Sequence, residues 1–310
     1  MEQTEKKPAV GYICAISFAL IVGLVSMANK ICVVYGMPIL IVAVRYVLAA
    51  AANFAGHHTG LFHVRLRGKR KRGLLVLSAL CYVGSYLLQV CGLMYAPSVL
   101  NGILLATVPI WSEIMAAVVL KEKTTLAQNG FLLLSACSVI AMFLYGSLDG
   151  LRGFSMRGFL ILFVSCIFEA ANNIIIRSLK EEYTPAEISY VSCLISSLIC
   201  LLILGVQMGI GAVRVETILL AFQDWKFVAA ILFLGFLGTF LAGVLRGYTL
   251  QHMSAIRATV WYNVSTPVTV LAGVLFLKEP FHFYQLVCTA GILIGVLGTQ
   301  IARGKKQIAK

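Results

Sequence analysis

Three ionisable side chains stand inside long apolar runs of this chain: Arg45, Glu113 and Glu169. A charge at the centre of a membrane helix costs roughly 2.5–3.5 kcal/mol on insertion scales, so each needs a compensating partner or a wet cavity. Around Glu169, Ser165 lies four residues before, and Asn172 and Asn173 lie three and four after, which puts all four on one helical face. A carboxylate flanked by a hydroxyl and two carboxamides can hold an amine or exchange a proton while the amides orient a ligand. The same set also suits an ion pair with Arg45 backed by interhelical hydrogen bonds. Glu113 follows Pro109 by one turn and sits beside Trp111 and Ser112. A mid-helix proline frees a carbonyl on the preceding turn, and substrate cavities use such breaks. Glu113 is thus a second candidate for ligand contact, or for the partner of Arg45. For Arg45 the sequence favours a structural or gating ion pair over contact with a substrate anion.

Two aromatic groups adjoin these charges. Tyr82, Ser85, Tyr86 and Gln89 recur at helical spacing on one face, and Trp261, Tyr262 and Asn263 lead into Ser265, Thr266 and Pro267. Rings near carboxylates can attract a cation or hold a flat side chain, although Tyr and Trp are also ordinary packing residues in membranes. The candidate binding residues are therefore Glu169, Asn172, Asn173, Glu113, Tyr86, Gln89, Trp261 and Asn263, with Arg45, Pro109 and Pro267 structural or gating. Asn29, Lys30, Arg246 and Arg257 stand at span ends, as gates or as snorkelling helix-end residues. His57, His58 and His63 fall in a basic loop and read as solvated rather than as a metal site. The nine cysteines lie nearly all in apolar runs without a C-x-x-C pair, so they read as small packing residues. No cofactor is expected.

The elements that position these groups follow from composition. Of the 310 residues 60% are hydrophobic and 12% charged, against about a quarter charged in soluble chains. That excludes an ordinary soluble enzyme, a disordered chain and a disulfide scaffold. About 20 apolar residues cross a bilayer as a helix, and ten segments meet that ruler: 10–29, 38–56, 73–95, 98–120, 126–146, 158–178, 185–208, 226–250, 254–277 and 283–302. They are too continuously apolar for barrel strands, so the expected fold is an all-α membrane protein with ten transmembrane helices. The first segment resembles a signal peptide in outline, but the repeat described below requires it as a span. The net charge of +13 sits mainly in short stretches between spans, most densely at 57–72. Such clusters orient a protein on lipid headgroups rather than bind nucleic acid. With the amino terminus inside, 18 basic residues fall on inner loops and tails and 6 on outer loops, which predicts cytoplasmic termini.

Residues 92–123 and 247–280 share an order of features: a Gly, a short polar turn, a proline within the next span and a closing Lys-Glu. Pro109 to Glu122 is 13 residues and Pro267 to Glu279 is 12; Pro38 and Pro185 likewise each open a span. The chain divides into five-helix halves, 1–146 and 158–310, with an outer linker at 147–157 and a basic inner tail. Because five is odd, the halves enter the membrane from opposite sides, as two inverted repeats. Such repeats typify secondary transporters that bind substrate at the midplane. Gly291, Gly295 and Gly298 form a small-residue stripe suited either to a homodimer or to an internal contact.

With Pro38 and Arg45 in the second span and the Pro…Leu-Lys-Glu signature in both halves, the chain resembles the drug/metabolite transporter superfamily, EamA type. The resemblance covers essentially the whole chain. It implies a carrier that moves amino acids, amines, nucleotide-related metabolites or toxic solutes, often outward, and the expected setting is alternating access in a bacterial inner (plasma) membrane. Glu113 and Glu169 stand where that family more commonly has apolar or small residues. Two acids against one arginine leave an excess negative charge. The expected substrate is therefore an amine, a quaternary ammonium solute or a zwitterionic amino acid, with protons as a second partner or an uncoupled exchange as the alternative. An intramembrane enzyme would show an H-E-x-x-H motif, a nucleophile elbow or a phosphate loop, and the sequence has none. A receptor would want more loop surface than these connections offer.

Overall fold

The computed structural model describes residues 8–60, 64, 70–119, 125–148, 155–179, 181–252 and 263–308, and every regular element among them is helical. In order they are α1 (Pro8–Val33), α2 (Pro38–His58), α3 (Arg72–Leu93), α4 (Ser98–Leu105), α5 (Val108–Val119), α6 (Leu126–Leu148) and α7 (Met156–Leu179). Next come α8 (Pro185–Gly209) and α9 (Val215–Gln223). Then α10 (Trp225–Leu232), a π-helical stretch (Phe233–Leu241) and α11 (Ala242–His252) run end to end, followed by α12 (Ser265–Phe276) and α13 (Phe283–Ile308). Among the described residues seven helical segments are long and apolar enough to cross a membrane, and 126–142, 265–276 and 283–299 are shorter apolar helices. Each coincides with one of the ten expected segments. The protein is a multi-pass helical membrane protein.

Local chemistry explains the boundaries. Pro38 and Pro185 open α2 and α8, where a missing N–H costs nothing. Thr184 and Glu187 form a reciprocal cap at α8: the Thr184 hydroxyl accepts from the Glu187 N–H, and the Glu187 carboxylate accepts from the Thr184 N–H. At the end of α12 the Glu279 N–H reaches back to the Gly273 carbonyl while Lys278 takes the left-handed conformation, φ 52°. This closure spans seven residues, one more than a Schellman turn, with the left-handed residue directly after the C-cap Leu277, and Pro280 then prevents the helix from resuming.

The surface is apolar and the interior mixed, as lipid demands. Leu133, Leu198, Leu202 and Leu275 are exposed, while Ser78, Ser85, Asn101 and Ser165 are fully buried. Helix α3 packs on α7 and α8, α1 on α11 and α12, α2 on α8 and the π-helical stretch, α5 on α7, α4 on α12, and α6 on α13. The last contact decides the role of the glycine stripe. A Cβ at Gly295 would lie 2.6 Å from Ser135 Cβ and 2.7 Å from the Phe131 carbonyl oxygen, and Gly291 and Gly298 abut Ser138 and Phe131. The stripe is an internal helix–helix contact, not a dimer face.

Three features interrupt the regular spans and connections. The fourth span is broken between α4 and α5 just ahead of Pro109, which lies in the first turn of α5. Thr107 bridges the break: its hydroxyl donates to the Leu104 carbonyl at 2.6 Å and accepts from Trp111 Nε1 at 3.1 Å. The eighth span changes from α to π winding at Phe233–Leu241. The connection after α8 also carries a helix of its own, α9, whose apolar Ala221 is buried.

Polar ties gather at both ends of the bundle. At one end Lys30 Nζ donates to the Leu93 and Ala96 carbonyls at 2.7 and 2.8 Å, supplying acceptors left open at the end of α3. Glu279 accepts from the Ser98 N–H, the Ser98 hydroxyl and the Val99 N–H at 2.8, 2.8 and 2.9 Å, capping α4. Tyr35 donates to Asp224 at the same end. At the other end the Arg70 and Lys71 N–H groups donate to Glu182, and Lys71 Nζ to the Ser178 carbonyl. These groupings match the loop alternation expected of successive crossings.

Candidate functional site

Arg45 is fully buried on α2. Its Nε donates to Thr239 Oγ1 at 2.7 Å, and one terminal nitrogen, Nη2, approaches the Gly238 carbonyl at 3.3 Å. Its guanidinium carbon lies 4.0 Å from the centre of the Tyr86 ring, a cation–π contact. The other terminal nitrogen, Nη1, is buried and has no hydrogen-bond partner among the described residues. Among the described residues, none of the contacts that hold Arg45 comes from a carboxylate. The expected ion pair of Arg45 with Glu169 or Glu113 is therefore replaced by hydroxyl, carbonyl and ring contacts. The reason is local. In the π-helical stretch Thr239 bonds back to the Leu234 carbonyl five residues earlier and still has lone pairs for Arg45. Gly235 and Gly238 let that stretch press against Leu48 and Val25, where a Cβ would meet side chains at 2.5 and 2.8 Å.

Tyr86 belongs to a cluster of rings. Tyr82 and Tyr86 lie 5.0 Å apart edge to face, Tyr46 and Tyr82 5.5 Å apart, and Tyr46 and Tyr86 6.1 Å apart. The Tyr46 hydroxyl is tied to the Tyr82 carbonyl at 3.2 Å. One residue before Tyr86 on α3, the Ser85 hydroxyl lies 2.9 Å from both Glu169 Oε2 and the Tyr82 carbonyl, with one proton to share between them. Glu169, on α7, is within electrostatic range of Arg45 and Arg246. Consecutive residues of α3 thus touch a half-buried carboxyl group and a fully buried guanidinium. The arrangement is bipolar and walled by tyrosines.

The helical face around Glu169 divides in use. Ser165 donates to the Leu162 carbonyl within its own helix at 2.6 Å. Asn172 Oδ1 accepts from Ser78 at 2.7 Å, a tie between α3 and α7. Asn173 Oδ1 lies 3.5 Å from Arg246 Nη2. Gln89 is buried on the turn of α3 beyond Tyr86. Glu113 is buried on α5, where Trp111 packs edge to face on Phe163 of α7 at 5.2 Å. Among the described residues, the bonds and ring contacts that build the Arg45–Tyr86–Glu169 group come from α2, α3, α7 and the π-helical stretch, and Glu113 contributes none. Asn263 is buried with its Nδ2 unpartnered among the described residues, and Pro267 lies in the first turn of α12 as Pro109 does in α5. Trp261, with Tyr262 and Arg257, lies outside the described residues.

Sequence reasoning missed Thr239 and Gly238, which sit in an apolar run with no polar periodicity. It also left open the role of Lys30, and it read Glu279 as a signature without a partner. The Leu-Lys-Glu-Pro order does carry a usable signal, a helix stop followed by an acid. Among the described residues no group of three or more His, Cys, Asp or Glu side chains forms a metal site.

The fold and site define a polytopic helical membrane protein with polar and charged side chains buried between its helices. The model of the EamA-like transporter family matches residues 9–144 and again 156–300, and the chain belongs to that family. It is 32% identical over 306 residues to the uncharacterized transporter YcxC of Bacillus subtilis, covering 99% of this chain and 97% of that one. It is 22% identical to the uncharacterized transporter YyaM of the same organism, with 92% of each chain covered. A solved crystal structure superposes with a TM-score of 0.62 at 16% identity, over 95% of this chain and 98% of that chain, a likeness of fold.

Proposed function

We propose that the protein is a ten-span secondary transporter of two inverted five-helix halves, 1–146 and 158–310, that exports a small amine-bearing metabolite by alternating access from a bacterial inner membrane. The substrate classes are those the sequence favoured: an amino acid, an amine or a quaternary ammonium solute. Both termini face the cytoplasm in this reading.

The pattern of helix packing supports the inverted halves. Advancing every span by five converts α3 on α7 into α11 on α1, α1 on α12 into α7 on α5, and α2 on the π-helical stretch into α8 on α3. The pairs α2 with α8, α4 with α12 and α6 with α13 map onto themselves. The double match of the family model, at 9–144 and 156–300, supports the same division.

The observation that carries the functional reading is the Ser85–Glu169 contact beside the tyrosine cluster. A carboxylate held by one hydroxyl in an apolar bundle suits a substrate ammonium, and it suits a proton when the site is empty. In this cycle Glu169 gives up a proton as it takes the amine, so inward proton movement drives export. The test is uptake and counterflow in proteoliposomes with pooled labelled amino acids and amines, with and without a pH gradient, for wild type and Glu169→Gln. Gradient-driven movement in wild type that the variant loses supports the coupling role. Identical movement in both proteins makes Glu169 structural and removes it from the cycle; movement that ignores the gradient in both assigns an uncoupled exchanger.

A further inference from the structure

We infer that Arg45 is the receptor for a substrate carboxylate, so that the transported molecule is a zwitterion held between Arg45 and Glu169. This rests on the reading above, in which Glu169 takes the ammonium, and it narrows that substrate class.

The argument begins with hydrogen bonds. A guanidinium carries five N–H donors in a planar fork. Here Nε is used on Thr239 and Nη2 on the Gly238 carbonyl, while Nη1 has no acceptor among the described residues. Lys30, in the last turn of α1, by contrast spends its ammonium on two main-chain carbonyls. Arg45 is fully buried, yet the fork keeps one nitrogen in reserve. A carboxylate is the planar acceptor that fits such a nitrogen and neutralises the charge.

Charge balance then selects among ligands. A buried unpaired charge is costly, and removing one partner of a buried pair leaves that cost in full. With Arg45 and Glu169 both ionised, their charges cancel. A zwitterion adds no net charge and supplies each pole with a partner. A simple amine would pair Glu169 and leave Arg45 without an anion, and a carboxylate lacking an ammonium would do the reverse. A phosphate dianion would need a second free cation, and Arg246 is already directed at Asn173. The α3 backbone links the poles directly, since Ser85 touches Glu169 and Tyr86 touches the guanidinium.

The experiment is counterflow in proteoliposomes of the full chain. Pooled labelled amino acids are compared with the matched decarboxylated amines and the matched methyl esters, both of which keep the ammonium and lose the carboxylate. In wild type the free amino acids are expected to exchange about tenfold or more faster than amines or esters, the discrimination one charge-assisted hydrogen bond supplies. Arg45→Gln is expected to collapse that preference, whereas Arg45→Lys retains part of it. Equal exchange of amino acids and amines by wild type overturns the carboxylate role and leaves the transporter reading intact. Exchange of amines alone does the same. Exchange of neither pool overturns both readings. The wild-type comparison decides the matter even where a variant fails to fold.

Discussion

Glu279→Ala removes the carboxylate that caps α4. Glu279 accepts three hydrogen bonds there, from the N–H groups of Ser98 and Val99 and from the Ser98 hydroxyl. The two amides belong to the first turn of α4, where the helix offers them no internal acceptor. Charge-assisted hydrogen bonds are worth about 1.5–3 kcal/mol each, but these share one half-buried carboxylate that water reaches once it is gone. Loss of a helix cap costs about 0.5–2 kcal/mol, and separation from the Lys30 charge adds a few tenths at a screened site. The expected loss is therefore about 2 kcal/mol, or about 3 °C in Tm for a chain of this size. The assay is thermal unfolding of the purified protein in detergent. Glu279→Gln keeps an acceptor oxygen and should recover part of the loss. Glu216→Ala, which deletes an exposed carboxylate at the start of α9, controls for net charge and should move the midpoint by a degree or less. Should Glu279→Ala unfold at the wild-type temperature, water already serves the α4 amides and the capping argument is wrong.

Two further outcomes follow from the same geometry. Gly295→Ala should destabilise the bundle by about 1–3 kcal/mol, the usual cost of overpacking, because its Cβ would meet the Phe131 carbonyl oxygen at 2.7 Å. Gly205→Ala on α8, with nothing within 4 Å, should be neutral or stabilising; equal effects at both positions would refute the packing assignment. Tyr35→Phe should show a pH-dependent penalty. The Tyr35 phenol, and after it the Lys226 N–H, hold the Asp224 carboxyl below the ordinary carboxylate range. The stabilisation is then fully present above about pH 4, the ordinary aspartate value, and is lost as pH falls through the lowered folded value. The gap in Tm between wild type and Tyr35→Phe should be open at neutral pH and close in acid. A gap of the same size across that range would refute the bond to the Asp224 carboxylate as the source of the loss.

The helical segments were legible because each must satisfy its own backbone bonds in lipid, and that constraint writes an apolar stretch directly into the order of residues. Glu169 and the Tyr82–Tyr86 face were legible for a related reason: polar residues at helical spacing inside such a stretch need a common wet or bonded surface. Pro109 likewise announced the break ahead of α5. Partners were not legible. Two helices at a shared depth can meet at many rotations, so nothing in the sequence told that Ser85 would meet Glu169, that Ser78 would engage Asn172, or that Arg45 would find a hydroxyl and a carbonyl instead of an acid. At the π-helical stretch Phe233–Leu241, Arg45, Leu48 and Val25 from α1 and α2 meet two glycines and a threonine, contacts that lie far away in sequence. The stripe at Gly291, Gly295 and Gly298 said only that something packs closely, and the position of α6 decided what. Local hydrogen bonding and solvent chemistry are determined residue by residue; the pairing of buried charges is decided by how the helices rotate against one another.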